Sequence, residues 1–557
     1  MSDGFTVGDY LLTRLAEIGI RHVFGVPGDY NLAFLDHVLD HEEIAWVGAA
    51  NELNAAYAAD GYARVAGVGA LLTVYGVGEL SAITGVAGSY AEYVPVIHIV
   101  GAPSTAARQD GALVHHTLGD GDYGHFARAQ AEVTVAQAWL AADNAAAEID
   151  RVIATSLRER RPGYLVMPTD VAASPAARPA RPLIVTPPER SASVLAEFTA
   201  AARTMLSGAG SLTVLADFLA DRFGVRHEVA DLVADGQIPH ATLSMGKGLF
   251  DESDPGFVGT YCGSASDKRV LQAVEESDVM ISVGVRFTDI PTNGFSQRID
   301  PERTIDVQPF SASVGSRFFG PLPMRDAVTA LAGVVRELDR SWARPELSPV
   351  PAGDAEESAR LTHAQLWPTM ERFLRPGDIV LADQGTGFCG AMFMRLPAGV
   401  SFIGQPLWAS LGYTLPATLG AQLAAPDRRV ILLIGDGAMQ LTAQELGTLL
   451  RQGCATVIVV LDNDGYTIER AIYGAEQRYN DIAGWNWTLL PAAMGGESVR
   501  TAQVSTPDEL TVALNGAAYA DGRLALIDAR LPKLDVPEYL ATFARVVAAA
   551  STPGRAA

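Results

Sequence analysis

The chain alternates between two hydrophobic periods. Residues 7–18 carry apolar positions at helical spacing, and 22–26 form a β-branched run that ends in Pro27-Gly28-Asp29. A helical pattern covers 32–39. Strand-like runs cover 70–74 and 95–100, separated by a glycine-rich turn and a helical pattern near 80–90. A stretch with five prolines, 174–190, interrupts the alternation, which resumes with strand-like runs at 212–216, 279–284 and 304–307. A second interruption carries Pro345, Pro349 and Pro351. The pattern predicts an α/β protein of three doubly wound domains with mainly parallel sheets: 1–172, 191–341 and 361–557, joined by linkers 173–190 and 342–360. The tail after Ser551 is expected to be disordered, and no tandem repeat is visible.

One stretch of the last domain is more specific. Residues 430–434 are an apolar, strand-like run followed by Gly435-Asp436-Gly437, read as a tight turn. Thr442-x-x-Glu445 has the capping-box pattern, which predicts a helix start there, and Gly453 ends that helix. Residues 456–461 form a second β-branched run, closed by Asn463-Asp464-Gly465. A strand–helix–strand unit crosses over right-handed and makes its strands parallel. Both turns then share the carboxyl edge of one sheet, where open α/β sheets bind ligands. Asp436 and Asn463, 27 residues apart, come to adjacent strand ends. A carboxylate, an amide oxygen and the Gly465 carbonyl form an oxygen donor set suited to magnesium, with phosphate oxygens completing the shell. Gly-Asp-Gly alone is a common turn; the two turns at this spacing are far more specific.

Composition bounds the function. The chain has 557 residues, 48% hydrophobic and 19% charged, enough for two to four domains with their own cores. The net charge of −23 argues against nucleic acid or an anionic membrane as partner. No signal sequence or apolar run of about 18 residues is present. Cys262, Cys389 and Cys454 are isolated, with no metal-ligand spacing, so a reducing cytoplasm is the simplest expectation. No G-x-G-x-x-G follows a strand in the middle domain, whose expected role is structural.

The Gly-Asp-Gly turn, the intervening helix, Asn-x-Gly and the extension DNDGYTIERAIYGAEQRYNDIAGWNW together resemble the thiamine diphosphate-dependent 2-keto acid decarboxylases, closest to the indolepyruvate and the broad-range branched-chain and aromatic enzymes. The similarity runs through nearly the whole chain. It implies a first domain that binds the pyrimidine and a last domain that binds the diphosphate, with magnesium on Asp436, Asn463 and the Gly465 carbonyl. It also implies non-oxidative decarboxylation of a 2-keto acid to an aldehyde and CO2. Cofactor contacts are implied for Glu52, Gln384, Thr386, Leu411, Gly435, Asp436, Gly437, Ala438, Asn463, Gly465, Tyr466 and Ile468. Since relatives bind the cofactor between the first domain of one subunit and the last domain of another, a homodimer is the smallest expected active unit and a homotetramer the expected assembly.

Each proposed catalytic residue has a plainer reading beside the implied one. Glu52, in the first turn of an alanine-rich helix capped by Asn51, complements the helix dipole; the resemblance gives its carboxyl a hydrogen bond to the pyrimidine N1′. Asp29 reads as a turn or N-cap residue. His115-His116 reads as a surface or core pair whose side chains diverge, so that the pair would not share a metal. Glu469 reads as a solvent-facing helix charge paired with Arg470. The resemblance makes Asp29, His115, His116 and Glu469 proton-transfer groups near the reacting carbon. Leu411, Ile468 and Ile472 read as core. The resemblance puts Leu411 beneath the cofactor and Phe388, Cys389, Ile468 and Ile472 around the substrate. Asp462, Ala438 and Tyr473 depart from frequent Asn, Ser and His; none removes a required group.

The expected substrate is an aromatic or branched-chain 2-keto acid, because Phe388 stands between Gly387 and Cys389 where pyruvate-specific relatives carry paired aromatics. The alternatives are a pyruvate decarboxylase, an acetolactate synthase-like carboligase and a non-catalytic cofactor-binding paralogue.

Overall fold

A computed structural model describes residues 4–236, 238–342, 360–518 and 522–550. The second linker lies largely outside the described residues, as does the tail after Ser551. Three sheets follow one another along the chain. The first orders its strands Ala45–Gly48, His22–Gly25, Gly69–Val74, Val96–Ala102, Gly163–Pro168, Ala136–Trp139, parallel throughout. The last orders Ser401–Ile403, Ile379–Ala382, Val430–Gly435, Val457–Asp462, Ala525–Arg530, Arg500–Val504, also parallel throughout. The central sheet is parallel except for Ser311–Val314 and Arg317–Phe319, which pair antiparallel at one edge. Strands covered by helices on both faces must be apolar along their length. Gly69–Val74, Leu212–Ala216 and Val457–Asp462 are accordingly buried at every position.

The alanine-rich helix Glu52–Ala66 does more than favour helical backbone. It lies against Thr414–Ala424 of the last domain, and both belong to one core. A Cβ on Gly61 would run into the Ala417 carbonyl, and one on Gly420 into the Ala58 carbonyl. Small residues on both helices therefore let the backbones touch. This contact fixes the first domain against the last within one chain.

The capping-box expectation is corrected. A helix already begins at Asp436, directly after the strand, and Thr442 is its last residue. The Thr442 hydroxyl donates instead to the Gly412 carbonyl at 2.8 Å. A second short helix starts at Glu445, whose carboxylate accepts from the Ala50 N–H (3.2 Å) and from Asn54 Nδ2 (2.9 Å) in the first domain. The residue read as a local cap is an inter-domain tie.

Candidate active site

The two turns meet as their spacing requires. Gly435 pairs in register with Leu461, so Asp436 and Asp462 face each other one step further on, with Asn463 beside them. The Asp436 carboxylate holds both strand ends: Oδ1 accepts from the Gly437 N–H at 2.8 Å and Oδ2 from the Gly465 N–H at 2.9 Å. Asp464 and Gly465 both take positive φ, 61° and 120°. A side chain on Gly465 would strike the Asn480 carbonyl, so the turn requires glycine there.

The electrostatics of this corner are unbalanced. Burial, and then the Asp462 carboxylate, push the Asp436 pKa up to about 7. Asp462 is itself relieved by Trp487 Nε1 and by Arg530 of the next strand, both at 3.1 Å. No cationic side chain does the same for Asp436 among its hydrogen bonds and ion pairs in the described residues. The Asn463 Oδ1 is buried with no hydrogen-bond partner. An orphaned amide oxygen beside an uncompensated carboxylate is costly, and an oxygen-coordinated cation would satisfy both.

A narrow cleft of about 30 Å³ opens at this corner. Its walls include Gln384, Thr386, Leu411, Gly435, Asp436, Gly437, Ala438, Asn463, Gly465, Tyr466 and Ile468, the last-domain residues singled out from the sequence. Gln384 Oε1 is a second buried acceptor without a partner. Leu411 is presented by a loop that buried Asp383 grips, through the Gly412 and Thr414 N–H groups (each 3.1 Å) and the Thr414 hydroxyl (2.6 Å).

Residues 5–123 match the family described as thiamine pyrophosphate enzyme, N-terminal TPP binding domain; residues 199–333 match its central domain and 385–529 its C-terminal TPP binding domain. The chain is 50% identical over 554 residues to the alpha-keto-acid decarboxylase of Mycolicibacterium paratuberculosis (strain ATCC BAA-968 / K-10), covering 99% of this chain and 98% of that protein. It is also 50% identical over 538 residues to the enzyme of the same name from Mycobacterium tuberculosis (strain ATCC 25618 / H37Rv), covering 96% of each. A third, from Mycobacterium ulcerans (strain Agy99), is 50% identical over 540 residues, covering 96% of this chain and 95% of that protein. The chain belongs to the thiamine diphosphate-dependent 2-keto acid decarboxylases.

The remaining groups of this decarboxylase lie elsewhere in the chain. Glu52 opens its helix as expected, with Asn51 Oδ1 accepting from the Asn54 N–H at 2.8 Å. It is half-buried, facing Gly78, where a Cβ would come within 3.2 Å of its Oε1. Asp29, His115 and His116 cluster on the first domain: His115 Nε2 is 2.6 Å from Asp29 Oδ2, and Tyr30 stacks on the His115 ring at 4.8 Å. The expected divergence of the two histidines is corrected. His116 takes φ +65°, outside the extended range, so both rings turn toward Asp29. Neither Glu52 nor this cluster lines the cleft.

Two further expectations change. Arg470 does not pair with Glu469, which is exposed. Arg470 is buried and folds back to donate to the Asn463, Asp464 and Asn480 carbonyls, at 3.3, 2.5 and 3.0 Å, and to pair with Asp481 at 2.9 Å. Phe388 and Cys389 do not reach the cleft: the short helix Thr386–Ala391 presents Thr386 to it and turns both into the domain core, Phe388 against Phe402 at 5.9 Å. Ile468 lines the cleft; Ile472, one turn on, packs on the core. Sequence reasoning missed Arg470, Asp383 and Glu445. Arg470, six residues beyond Asp464 in a motif already singled out, was the one within reach.

Proposed function

We propose that this decarboxylase binds magnesium through Asp436, Asn463 Oδ1 and the Gly465 carbonyl, and through it the diphosphate of its cofactor. The observation that carries this reading is the buried, partnerless Asn463 Oδ1 beside the uncompensated Asp436 carboxylate. When bound, thiamine diphosphate supplies the electron sink for loss of CO2. Glu52 holds a proton at the pyrimidine N1′. Asp29, His115, His116 and Glu469 move protons at the reacting carbon. Glu52 and the histidine cluster lie off the cleft of their own chain, which favours a site completed by a second subunit, hence a homodimer or a homotetramer of two dimers. The three unpaired cysteines favour a cytoplasmic setting.

The substrate reading is an aromatic or branched 2-keto acid: indolepyruvate, phenylpyruvate or 4-methyl-2-oxopentanoate. Its support is that Phe388, the one aromatic of its segment, packs into the domain core, so no aromatic ring of that segment narrows the cleft. A panel of 2-keto acids assayed with coupled alcohol dehydrogenase tests it. One of the large substrates should exceed pyruvate in kcat/KM by about 10- to 200-fold. Pyruvate as the best substrate would leave the pyruvate decarboxylase alternative standing. Acyloin in place of aldehyde, seen by gas chromatography, would favour a carboligase.

A further inference from the structure

The backbone at His116 gives two neighbouring histidines a common target. In extended chain their rings would point apart. At φ +65° both face Asp29, with His115 Nε2 2.6 Å from Oδ2 and His116 Nε2 4.0 Å from Oδ1. The ligand atoms of these three side chains all lie within 4.8 Å of one another, and no other group of three or more His, Cys, Asp or Glu converges in this way among the described residues. A nearby cluster shows the difference. His125 also meets carboxylates, Asp120 at 2.7 Å and Asp122 at 3.7 Å, but Arg128 stands 3.0 Å from its other nitrogen and 2.6 Å from Asp122. That cluster carries its own fixed cation. Asp29 has no Lys or Arg partner among the described residues.

Tyr30 sets the proton on the first imidazole. Its hydroxyl donates to the His115 carbonyl at 3.3 Å and lies 3.2 Å from His115 Nδ1. With its one proton on the carbonyl, the hydroxyl is left to accept from Nδ1–H, which turns the Nε2 lone pair toward Asp29. A lone pair and a carboxylate oxygen 2.6 Å apart repel, so a cation belongs between them, a proton or a metal ion. A partner on the second ring nitrogen is also what orients histidine as a metal ligand. The Tyr30 ring stacks on His115 and meets His116 edge-on, which holds both imidazoles in place.

Two imidazoles and one carboxylate are the donor set of open zinc sites, which leave the fourth position to water. Tetrahedral bonds of about 2.0–2.1 Å set donors roughly 3.3 Å apart, between the two distances found here. Asp29 and His115 are about half exposed, so their side chains have room to close on an ion. We infer that Asp29, His115 and His116 form a site for one transition-metal dication of zinc's class per chain. Such an ion takes the lone pairs that proton transfer needs and so inhibits turnover reversibly. That consequence rests on the proton-transfer reading above; the binding itself does not. Magnesium, which takes oxygen donors in octahedral array, is a poor competitor for imidazoles.

The test uses holoenzyme saturated with thiamine diphosphate in excess magnesium, so that the oxygen-lined cofactor corner stays filled. Cobalt(II) is the probe, titrated and followed by its visible absorption. One saturable site per chain is expected, with the strong bands of a four- or five-coordinate ion, bleached when zinc is added. Tyr30→Phe, which removes only the Nδ1 partner, should weaken binding by about tenfold. Asp29→Asn and His116→Ala, which remove ligands, should weaken it by more. These side chains are not buried, and circular dichroism verifies the folding of each variant. Zinc should also suppress aldehyde formation, and a zinc-selective chelator should restore it. Binding without loss of turnover would uphold the site and remove the cluster's role in proton transfer. No saturable cobalt spectrum, or an affinity that neither Asp29→Asn nor His116→Ala moves, would overturn the inference.

Discussion

Asp436 is 3% exposed, and the carboxylates that raise its pKa further are those of Asp462 and Asp464; Asp29 is exposed, and its partners are His115 and His116. The first acid has been desolvated without a counter-charge, which a fold tolerates by keeping the carboxyl neutral or by taking up a cation from outside. The second has its partners built in, the two imidazoles. On the proposed function, the first corner holds the metal and the second passes protons. Substitutions on the last-domain side should therefore appear in cofactor affinity, and those on the first-domain side in turnover.

The largest turnover effect is expected at Glu52. Glu52→Gln keeps the helix start and its side-chain volume but removes the ionisable group. Turnover should fall by about 10²- to 10⁴-fold with cofactor affinity kept. Proton NMR of deuterium exchange at the cofactor's C2 position reads this directly. An unchanged exchange rate would return Glu52 to the role of a first-turn helix charge. His115→Ala and His116→Ala come next, each lowering kcat by about 10²-fold with cofactor binding unaltered; full activity in both would make the cluster a surface feature and erase the contrast drawn above.

On the other side, Arg470→Gln should loosen the Asn463–Gly465 turn by removing donors to three carbonyls. Charge-assisted hydrogen bonds of this kind correspond to about 10- to 100-fold in magnesium-dependent cofactor affinity. Equilibrium dialysis of the variant would expose the error if affinity were unchanged.

The smallest effect is on stability. In apoprotein the Asp436 pKa of about 7 stands above its ordinary 3.8, so folding favours the neutral carboxyl. The stability it contributes is fully present below about pH 4 and is lost as pH rises through about 7. Thermal unfolding across that range should show this loss in apoprotein and less of it with magnesium or in Asp436→Asn. Identical profiles for apoprotein and Asp436→Asn would show that Asp436 ionises freely without its metal.

Inner strands of both cofactor-binding domains were legible because fully buried parallel strands are continuous apolar runs, as at 70–74 and 430–434. The meeting of Asp436, Asn463 and Gly465 at one sheet edge was legible because a parallel strand–helix–strand unit brings the two strand ends side by side. What misled was side-chain direction. Thr442 and Glu445 have cap spacing, yet their partners are Gly412 in one case and Ala50 and Asn54 in the other, far away in the chain. Arg470 looks like the partner of its neighbour until the turn before it is seen to need its donors. Phe388 and Cys389 lie in the right segment, but a helix shorter than two turns decides which residues meet the cleft. The buried acid Asp383 carries no local signal, since what it holds is the distant loop at Gly412 and Thr414.

The central claim is that Asp436 anchors the cofactor through a metal. Its most direct test is calorimetric titration of thiamine diphosphate into apoprotein with excess magnesium, for wild type and for Asp436→Ala. Magnesium-dependent binding should be present in wild type and lost in the variant. Wild-type affinity in Asp436→Ala would contradict the account.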